Sequence, residues 1–409
     1  MKRINLMRRN SMFSAKANHV SPAFTTELNA KIADMKRNGI EVVRLNIGEP
    51  DFHTPDNINA AAKAAIDEHF TRYTPVNGIF DLREAIARKF KRDNGVEYTP
   101  DEICAASGAK QALYEAVLTL AGQGDEVIIP VPCWVCYVEM VKLADAVPVQ
   151  VPVQKSGPER NHLDLEAIRK AITPRTKAII INTPNNPTGV VYTRKELTEL
   201  AELAAAHDFW IISDEVYEKL LYDGAEHICM AAISDDAWNR SIVINGCSKT
   251  YAMTGWRLGY AAGPAAAIKK LRSLQSHITG GITSITQKAG VEALNGPQES
   301  VETMRRAFDE RRIKMSEMLG KIPHISFSEP QGAFYYLVDI SWYFGKKGNG
   351  KIIHDALEFA PYLLETKRVA VVPGDAFFAP GTIRLSYSNS LDNLEKGVKG
   401  LAEALAAME

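Results

Sequence analysis

The chain has 409 residues, and its 48 lysines and arginines nearly balance its 49 aspartates and glutamates, for a formal net charge of −1. A surface that binds nucleic acid normally leaves a basic excess, so this balance argues against nucleic acid as the main partner. Hydrophobic residues make up 46% of the chain and charged residues 24%, which is typical of a globular protein. No run of 18 apolar residues predicts a membrane span, and the length indicates two or three domains.

The five cysteines are scattered and odd in number, which disfavours a disulfide framework and favours a reducing compartment. Cys133 and Cys136 form a C-x-x-C pair, but no second pair and no Cys/His cluster accompanies it, so we expect no bound metal. The first 26 residues contain five basic residues and no acidic ones, as in some organelle transit peptides. We interpret this segment as a disordered basic start and expect the protein to be cytoplasmic.

Four short apolar runs, mostly of β-branched residues, predict buried parallel strands at 127–129, 178–181, 209–212 and 242–244. Between the second and third runs, Thr193 and Glu196 have the spacing of a helix capping box. Leucines and alanines then recur on one helix face. Strands and helices that alternate in this way predict a doubly wound α/β domain.

The two ends of the chain differ from its middle. They contain long charged helices, such as 301–319, with strand-like pieces at 333–337 and 369–372 among them. We predict that the two ends meet to form a second, smaller α+β domain. The predicted division is an N-terminal arm with part of the small domain at 1–45, a large domain at 46–300 and a small C-terminal domain at 301–409.

Polar side chains follow three of the predicted strands, at the position where open α/β sheets bind their ligands. Segment 182–189 (NTPNNPTG) follows the second run, 213–217 (SDEVY) the third and 245–249 (NGCSK) the fourth, with Arg257 eight positions after Lys249. We therefore expect an amide, a carboxylate, an amine and a guanidinium at one rim of the sheet.

Each of these residues also has a purely structural interpretation. Asn-Pro-x-Gly is commonly a turn, Asp214 at a strand end is commonly a helix N-cap, and Lys249 alone resembles a solvated surface lysine. Their joint occurrence at successive strand ends favours a functional site over these separate interpretations.

A phosphate-binding turn is predicted ahead of these segments. Residues 104–106 have the pattern of a short strand, and small residues then lead into a helix that runs to about Leu120. A turn of this kind directs backbone N–H groups at a phosphate. It matches neither the P-loop nor the G-x-G-x-x-G pattern, which disfavours ATP and NAD. One phosphate, a lysine near a carboxylate and the aromatic Trp134 favour a different cofactor.

These residues together resemble the class I aminotransferases of fold type I, which depend on pyridoxal phosphate. Segment 248–257 (SKTYAMTGWR) is similar to the cofactor-lysine signature of that family, and the resemblance extends from 48–52 (GEPDF) to 384–387 (RLSY). The most similar branch is the bacterial aspartate/aromatic subgroup. The resemblance implies a large domain with a mostly parallel seven-stranded sheet between helices, and a smaller α+β domain.

The resemblance also implies a role for each polar residue around the cofactor, pyridoxal 5′-phosphate. Lys249 would bind the cofactor aldehyde as a Schiff base and later move a proton. Asp214 would pair with the pyridinium nitrogen, a cation that should depress the pKa of the buried carboxyl. Asn186 and Tyr217 would hydrogen-bond to the ring oxygen, and Trp134 would stack on the ring. The implied phosphate ligands are Gly108, Ala109, Lys110, Ser248, Arg257 and, from the neighbouring subunit, Tyr73.

Substrate binding and assembly follow from the same resemblance. Arg384 would clamp the α-carboxylate of the substrate bidentately, with Gly48, Asn186 and Trp134 beside it. Because Tyr73 would serve the neighbouring subunit, the resemblance implies a homodimer with its active sites at the interface. The expected partners are an amino acid and a 2-oxo acid, with neither nucleic acid nor membrane.

Three positions depart from the aspartate-using members of this branch. Gly246 replaces a serine that binds phosphate in some members, and 278–280 (ITG) replaces a Ser-Thr-Thr-like stretch of the partner subunit. Ser21, with Phe24 close by, replaces a lysine suited to prephenate. Lys110 matches a lysine that helps to hold the distal carboxylate. A buried distal carboxylate without partners costs several kcal/mol, so an aromatic or aliphatic donor is an alternative to aspartate.

The predicted function is transfer of the amino group of an L-amino acid, aspartate or an aromatic donor, to a 2-oxo acid such as 2-oxoglutarate. The cycle would be ping-pong. A β-lyase with the same fold and cofactor is the alternative prediction. A cofactor-binding regulator is disfavoured because the sequence has no DNA-binding module, and a nicotinamide oxidoreductase because no G-x-G-x-x-G opens a helix.

Overall fold

The computed structural model describes residues 13–20, 24–157 and 160–409, and two sheets contain most of its strands. Along the chain the strands are β1 (Val43–Arg44), β2 (Ile103–Ser107), β3 (Glu126–Val131), β4 (Val147–Pro152), β5 (Thr176–Asn182), β6 (Trp210–Asp214), β7 (Ser241–Gly246), β8 (Leu258–Ala262), β9 (Ser326–Phe327), β10 (Tyr335–Asp339), β11 (Lys347–Gly348), β12 (Lys351–Ile352), β13 (Val369–Ala370), β14 (Val372–Pro373) and β15 (Thr382–Ser386). The α-helices are α1 (Ala15–His19), α2 (Phe24–Arg37), α3 (Asp56–Asp67), α4 (Phe80–Lys89), α5 (Ala109–Leu120), α6 (Cys136–Leu143), α7 (Leu165–Ala171), α8 (Arg194–His207), α9 (Asp235–Asn239), α10 (Cys247–Thr250), α11 (Ala265–Ile278), α12 (Ser284–Asn295), α13 (Glu299–Leu319), α14 (Ala356–Lys367) and α15 (Leu391–Ala406).

The larger sheet has seven strands in the spatial order β2-β8-β7-β6-β5-β3-β4. Strands β3 to β7 run parallel to their neighbours among themselves, and β8 runs antiparallel to both β2 and β7. Apolar clusters that include helix residues cover both faces, so the central strands are almost entirely buried, as their continuous apolar sequences predict. The predicted mostly parallel seven-stranded sheet is confirmed.

The smaller sheet is antiparallel, in the order β14-β15-β10-β9, and β1 pairs in parallel with β13 beside it. One hydrophobic cluster joins these strands to α13, α14 and α15. An N-terminal strand thus pairs with a strand from the last fifty residues of the chain. The domain boundaries at 45/46 and 300/301 stay predictions.

Local sequence signals place several element ends. The capping box is confirmed: the Thr193 hydroxyl accepts from the Glu196 N–H at 3.3 Å, and the Glu196 carboxylate accepts from the Thr193 N–H at 2.7 Å. Helix α5 ends at Leu120, as predicted. Strand β10 begins at Tyr335 rather than at 333, because Ala333 has φ +59°, which is incompatible with an extended strand.

None of the helices in the described ranges combines the length and the apolar composition that crossing a bilayer requires. The five cysteines are free thiols.

Strand β8 passes directly beneath the turn between β2 and α5. Gly259 of β8 lies opposite Ala106 of β2 and Gly246 of β7. A methyl group on Gly259 would come within 2.1 Å of the backbone nitrogen of Ala109, where no heavy atom fits. The position of the turn therefore depends on the missing side chain at Gly259.

We predict that Gly259→Ala lowers the stability of the protein by about 1–3 kcal/mol, because the added methyl group must displace the backbone of the turn. Thermal unfolding followed by circular dichroism measures the effect as a lower midpoint. Gly122→Ala is the matched control, since a methyl group there meets no atom within 4 Å. Equal midpoints for the two variants would contradict the close approach.

Candidate active site

A cavity of about 460 Å³ lies at the carboxyl ends of β5, β6 and β7, where residues of the smaller sheet close it from the side. Most residues predicted from the sequence line this one cavity. They are Gly48, Ala109, Lys110, Trp134, Asn186, Asp214, Tyr217, Ser248, Lys249, Arg257 and Arg384. Gly108 and Tyr73 are the predicted residues outside this lining.

Asp214 is the last residue of β6, and the sheet register places it beside Asn182 of β5. Its side chain is buried, and the hydroxyl of Tyr137 donates to Oδ2 at 2.7 Å. The backbone N–H of Val216 lies 3.4 Å from Oδ1. The residue is therefore not a helix N-cap, and its carboxylate is fixed at the floor of the cavity.

The pKa of Asp214 is raised to about 6, because burial penalises the charged carboxylate. The hydrogen bonds from Tyr137 and Val216 act in the opposite direction and keep the rise moderate. A cation placed against the carboxylate would lower the pKa again. The sequence interpretation predicts a depressed pKa for Asp214, whereas burial in the structure raises it. A depressed pKa would require the positively charged ring beside the carboxylate.

A series of hydrogen bonds through two asparagine side chains connects Asp214 to Arg384. Asn182 donates from Nδ2 to the carbonyl of Asp214 at 2.9 Å and accepts from the N–H of Asn186 at 2.8 Å. The Asn186 Oδ1 atom accepts from Arg384 Nη1 at 3.0 Å. Asn186 thus links strand ends of the larger sheet to β15 of the smaller one.

Arg384 is 4% exposed and lies between two aromatic rings. Its guanidinium carbon is 4.3 Å from the ring centre of Tyr335 and 4.8 Å from that of Phe377. Burial lowers the pKa of Arg384, but a guanidinium stays charged at any physiological pH. The Nε atom is buried and finds no hydrogen-bond partner among the described residues. A buried guanidinium with an unused donor is well suited to bind an anionic group.

Two tyrosines form the wall between Asp214 and Arg384. The hydroxyls of Tyr217 and Tyr335 are 3.0 Å apart, and both rings are buried. Burial raises the pKa of Tyr217 well above its ordinary value, so the phenol is a hydrogen-bond donor at neutral pH. The predicted contact of Tyr217 with a ring oxygen fits this donor state.

Lys249 lies in the short helix α10, directly after β7, and is partly buried. Its ammonium donates to the carbonyl of Gly48. Burial lowers the pKa of Lys249 to about 8, and the guanidiniums of Arg384 and Arg257 act in the same direction. A lowered pKa leaves more neutral amine at pH 7 to 8, as a lysine that attacks an aldehyde requires.

The opposite end of the cavity has the features of a phosphate site. Gly108, with φ +84°, caps α5, and the first-turn N–H groups of Ala109 and Lys110 have no acceptor within the helix. The N–H of Gly108 itself donates to the carbonyl of Ala106 at 2.7 Å. A methyl group on Gly108 would lie 2.5 Å from Nη2 of Arg257, so the glycine makes room for that guanidinium.

Arg257 and the residues before it are held by backbone contacts. Arg257 donates to the carbonyl of Thr254 at 2.9 Å and lies near that of Ser107 at 3.4 Å, so its donors are directed along the rim. Ser248 lines the cavity, whereas a methyl group on Gly246 would come within 2.8 Å of the carbonyl of Leu258. Close packing against β8 therefore leaves no room for a side chain at position 246.

Trp134 and Lys110 form the side wall. The Lys110 Nζ atom lies 4.9 Å from the centre of the Trp134 ring, and that ring meets Tyr137 edge to face. A cation held over an aromatic ring at the cavity wall can meet a second anionic group of a substrate.

Several predicted residues lie away from the cavity. Tyr73 is fully exposed, as expected of a residue that would serve another subunit. Thr279, from the departing stretch 278–280, accepts a hydrogen bond from Gln111 on α5 at 2.6 Å. Ser21 lies outside the described residues, and Phe24 begins α2.

The structure adds polar cavity residues that the sequence interpretation missed. They are Arg44, Asn46, Glu49, Tyr137, Asn182, Thr254 and Tyr335. Asn182 stands in the segment 182–189, so its position after a strand was a usable signal. Tyr137 lies inside helix α6 and Tyr335 inside β10, where an apolar pattern gives no sign that a hydroxyl reaches Asp214 or Tyr217.

The lining fits pyridoxal phosphate on three structural observations. The buried carboxylate of Asp214 is charged most readily beside a cation, which a pyridinium provides. The glycine turn and Arg257 offer backbone and guanidinium donors to a phosphate. Lys249 lies between these two ends with a lowered pKa.

A second group of ionisable side chains is buried behind β6. Glu215, Glu218 and His227 approach one another closely enough to resemble a metal site. The ammonium of Lys89 forms a buried ion pair with Glu218, and the His227 Nε2 atom lies 3.0 Å from a Glu215 oxygen. Because the charge of Lys89 neutralises that of the Glu218 carboxylate, we interpret the group as a structural network that supports the end of β6.

Residues 40–401 match the sequence profile described as aminotransferase class I and II. The aspartate aminotransferase of Bacillus sp. (strain YM-2) is 48% identical over 381 residues, which cover 93% of this chain and 95% of that protein. The structure of the aspartate aminotransferase from Rhizobium meliloti matches with a TM-score of 0.92 at 38% identity and covers 97% of this chain and 99% of that one. The aspartate aminotransferase from Thermus thermophilus with maleate gives a TM-score of 0.89 at 42% identity, covering 96% and 99%.

We predict that Tyr137→Phe raises the pKa of Asp214 above about 6, because the hydrogen bond from the tyrosine stabilises the carboxylate. Loss of one such bond corresponds to about half a pH unit or more. We measure the affinity for pyridoxamine phosphate by fluorescence while the pH is lowered from 8 to 5. In the variant the affinity should begin to fall at a higher pH than in the wild type, because Asp214 becomes protonated at a higher pH.

The control is Tyr343→Phe, which removes a hydroxyl bonded to the carbonyl of Pro323, outside the cavity lining. If Tyr137→Phe and Tyr343→Phe give the same pH profile, the hydroxyl of Tyr137 does not tune Asp214.

Proposed function

The chain belongs to the class I and II aminotransferases, and from this premise we propose that it transfers the amino group of L-aspartate to a 2-oxo acid such as 2-oxoglutarate. Its cofactor is pyridoxal phosphate, the cofactor of this family. The observation that carries the proposal is the placement of Lys249, Asp214 and Arg384 around one cavity.

Bound pyridoxal phosphate supplies an electron sink for the substrate α-carbon. The residues of the chain supply the rest. The Asp214 carboxylate would hold the ring nitrogen in its protonated form, and Tyr217 and Asn186 would donate hydrogen bonds to the ring oxygen. Ala109, Lys110, Ser248 and Arg257 would hold the phosphate at the helix N-terminus, and Gly108 leaves the space that Arg257 occupies.

Lys249 has two tasks in this proposal. Its amine would hold the cofactor through the aldehyde, and its Nζ atom, when free, would move the proton of the substrate α-carbon. The lowered pKa of about 8 suits both tasks, because the amine must accept and return a proton near neutral pH.

Arg384 orients the substrate. Its guanidinium can bind the α-carboxylate through two parallel hydrogen bonds, beside Gly48 and Asn186. With the carboxylate and the amine both fixed, the α-hydrogen is directed at Lys249. Trp134 covers the ring face and limits the entry of water.

Lys110 supports a dicarboxylic substrate. Its ammonium stands over Trp134 at the cavity wall, where it can meet a distal carboxylate. The curated relative at 48% identity is an aspartate aminotransferase, and the Thermus thermophilus structure was determined with maleate. Both observations favour aspartate over an aromatic or aliphatic donor.

We also propose that the chain forms a homodimer and acts in the cytoplasm. The exposed side chains of Tyr73 and of Ile278 in segment 278–280 support a surface that a neighbouring subunit covers. The free thiols support a reducing compartment.

The first test follows the absorbance of the purified protein with pyridoxal phosphate when L-aspartate or L-phenylalanine is added. We expect L-aspartate to convert the pyridoxal band to a pyridoxamine band faster than L-phenylalanine does. In Lys249→Ala the rate of this conversion should be lower by about 10³-fold or more. The control Lys195→Ala changes an exposed lysine and should behave as the wild type. Pyruvate and ammonia from cysteine derivatives, without a pyridoxamine band, would favour the β-lyase instead.

The second test concerns Tyr73. We expect Tyr73→Phe to weaken cofactor binding about tenfold, which corresponds to one lost hydrogen bond to a phosphate. In a mixed dimer of one Lys249→Ala chain and one Tyr73→Phe chain, a Tyr73 that acts across the interface leaves one complete site. Wild-type cofactor affinity at that site, together with weakened affinity in the Tyr73→Phe homodimer, supports the proposal. Two impaired sites in the mixed dimer would show that Tyr73 acts within its own chain, and wild-type affinity in the Tyr73→Phe homodimer would show that Tyr73 does not bind the cofactor.

A further inference from the structure

Segment 48–54 connects the cofactor lysine to the rest of the molecule. The carbonyl of Gly48 accepts from Lys249, and the Glu49 carboxylate accepts from the Thr254 hydroxyl at 2.7 Å. Further along, the Thr54 hydroxyl donates to the carbonyl of Ala252 at 2.8 Å. Residues at both ends of segment 48–54 therefore contact residues 249–254, which include Lys249.

The same segment is fixed from the side of the smaller sheet. The Ser388 hydroxyl donates to the backbone carbonyl of Glu49 at 2.6 Å, and Asp51 forms an ion pair with Arg311 of α13 at 2.7 Å. The backbone of Glu49 is thus held by one part of the molecule and its carboxylate by another. Glu49 is exposed in the single chain, and its hydrogen bond with Thr254 directs the carboxylate along the cavity that it lines.

From this geometry we propose that Glu49 is a positioning residue that keeps a negative charge beside the nitrogen of Lys249 and so sets the pH at which that nitrogen is protonated. This proposal rests on the proposed function, because it concerns Lys249 in its bond to the cofactor.

The charges around Lys249 single out Glu49. Among the described residues, the carboxylates that line the cavity are Glu49 and Asp214, and the facing guanidiniums are those of Arg257 and Arg384. Glu49 is the strongest charged influence on Lys249 and raises its pKa, ahead of Asp214, whereas both arginines lower it. The remaining ionisable groups that line this cavity are Arg44, Lys110, Tyr137, Tyr217 and Tyr335.

Cofactor and substrate would pair the three other charged groups that shift the pKa of Lys249. Asp214 would be paired with the ring cation, Arg257 with the phosphate and Arg384 with the substrate carboxylate. In the described part of the chain the Glu49 carboxylate is hydrogen-bonded to the neutral hydroxyl of Thr254, which leaves its charge to act on Lys249. Its effect should therefore be larger in the loaded enzyme than that of the paired groups.

The test is the pH titration of the absorbance of bound pyridoxal phosphate, which reports protonation of the Lys249 nitrogen independently of turnover. We expect Glu49→Gln to lower the titration midpoint by about half a pH unit or more, because an opposite charge that favours the protonated form is lost. Glutamine keeps the shape and can still accept from Thr254, so the unfolding midpoint should be unchanged.

Two further variants make the result specific. Thr254→Val frees the carboxylate from its hydroxyl partner and should lower the titration midpoint in the same direction by a smaller amount. Glu395→Gln changes an exposed carboxylate on α15 and should leave it unchanged. An unshifted midpoint in Glu49→Gln, or an equal shift in Glu395→Gln, overturns the proposal.

The wild type separates this result from the proposed function. A wild-type protein that binds pyridoxal phosphate and converts it with L-aspartate establishes the function, whatever the Glu49 variant does. If the wild type converts the cofactor and Glu49→Gln titrates as the wild type does, the role of Glu49 alone is wrong.

Discussion

The site depends on one buried carboxylate at the end of a parallel strand. Asp214 is buried, and its charge is stabilised by the hydroxyl of Tyr137 and by a backbone N–H. The sheet register fixes its neighbour Asn182, which in turn orients Asn186 and, through it, Arg384. A carboxylate held in this way is a preorganised counter-charge for a cationic ring. The free energy cost of burying the carboxylate arises when the protein folds, and not when the ring binds.

The second constraint is that the cavity lies between two sheets. The larger sheet supplies the lysine, the aspartate and the phosphate turn, and the smaller one supplies Arg384 and Tyr335. Neither sheet forms a complete site alone, so their relative position sets the distance between cofactor and substrate groups. Contacts that cross between the sheets, such as Asn186 with Arg384 and Ser388 with the carbonyl of Glu49, therefore act on catalysis as well as on stability.

Close packing of small residues holds the phosphate end. Gly259 lets β8 lie against the start of α5, and Gly108 leaves room for Arg257. On the other face of the sheet, the buried pair of Lys89 and Glu218 balances charge behind the same strand ends. Breaking one member of such a pair leaves an uncompensated buried charge, so this network favours a single arrangement of the rim.

Much of the fold and of the site follows from the sequence. The β-branched runs and the capping box at Thr193 predict the parallel sheet, because a strand buried on both faces must be apolar throughout. Polar residues directly after those runs, Asp214 and Lys249 among them, are predicted to share a rim because parallel strands end together. Tyr137 and Glu49 could not be found in this way, since a tyrosine in an apolar helix and a glutamate in a loop give no local signal. Only the tertiary structure decides that the hydroxyl of Tyr137 meets Asp214 and that Glu49 lines the same cavity as Lys249, because such placements depend on how separate elements pack and not on the spacing of residues along the chain.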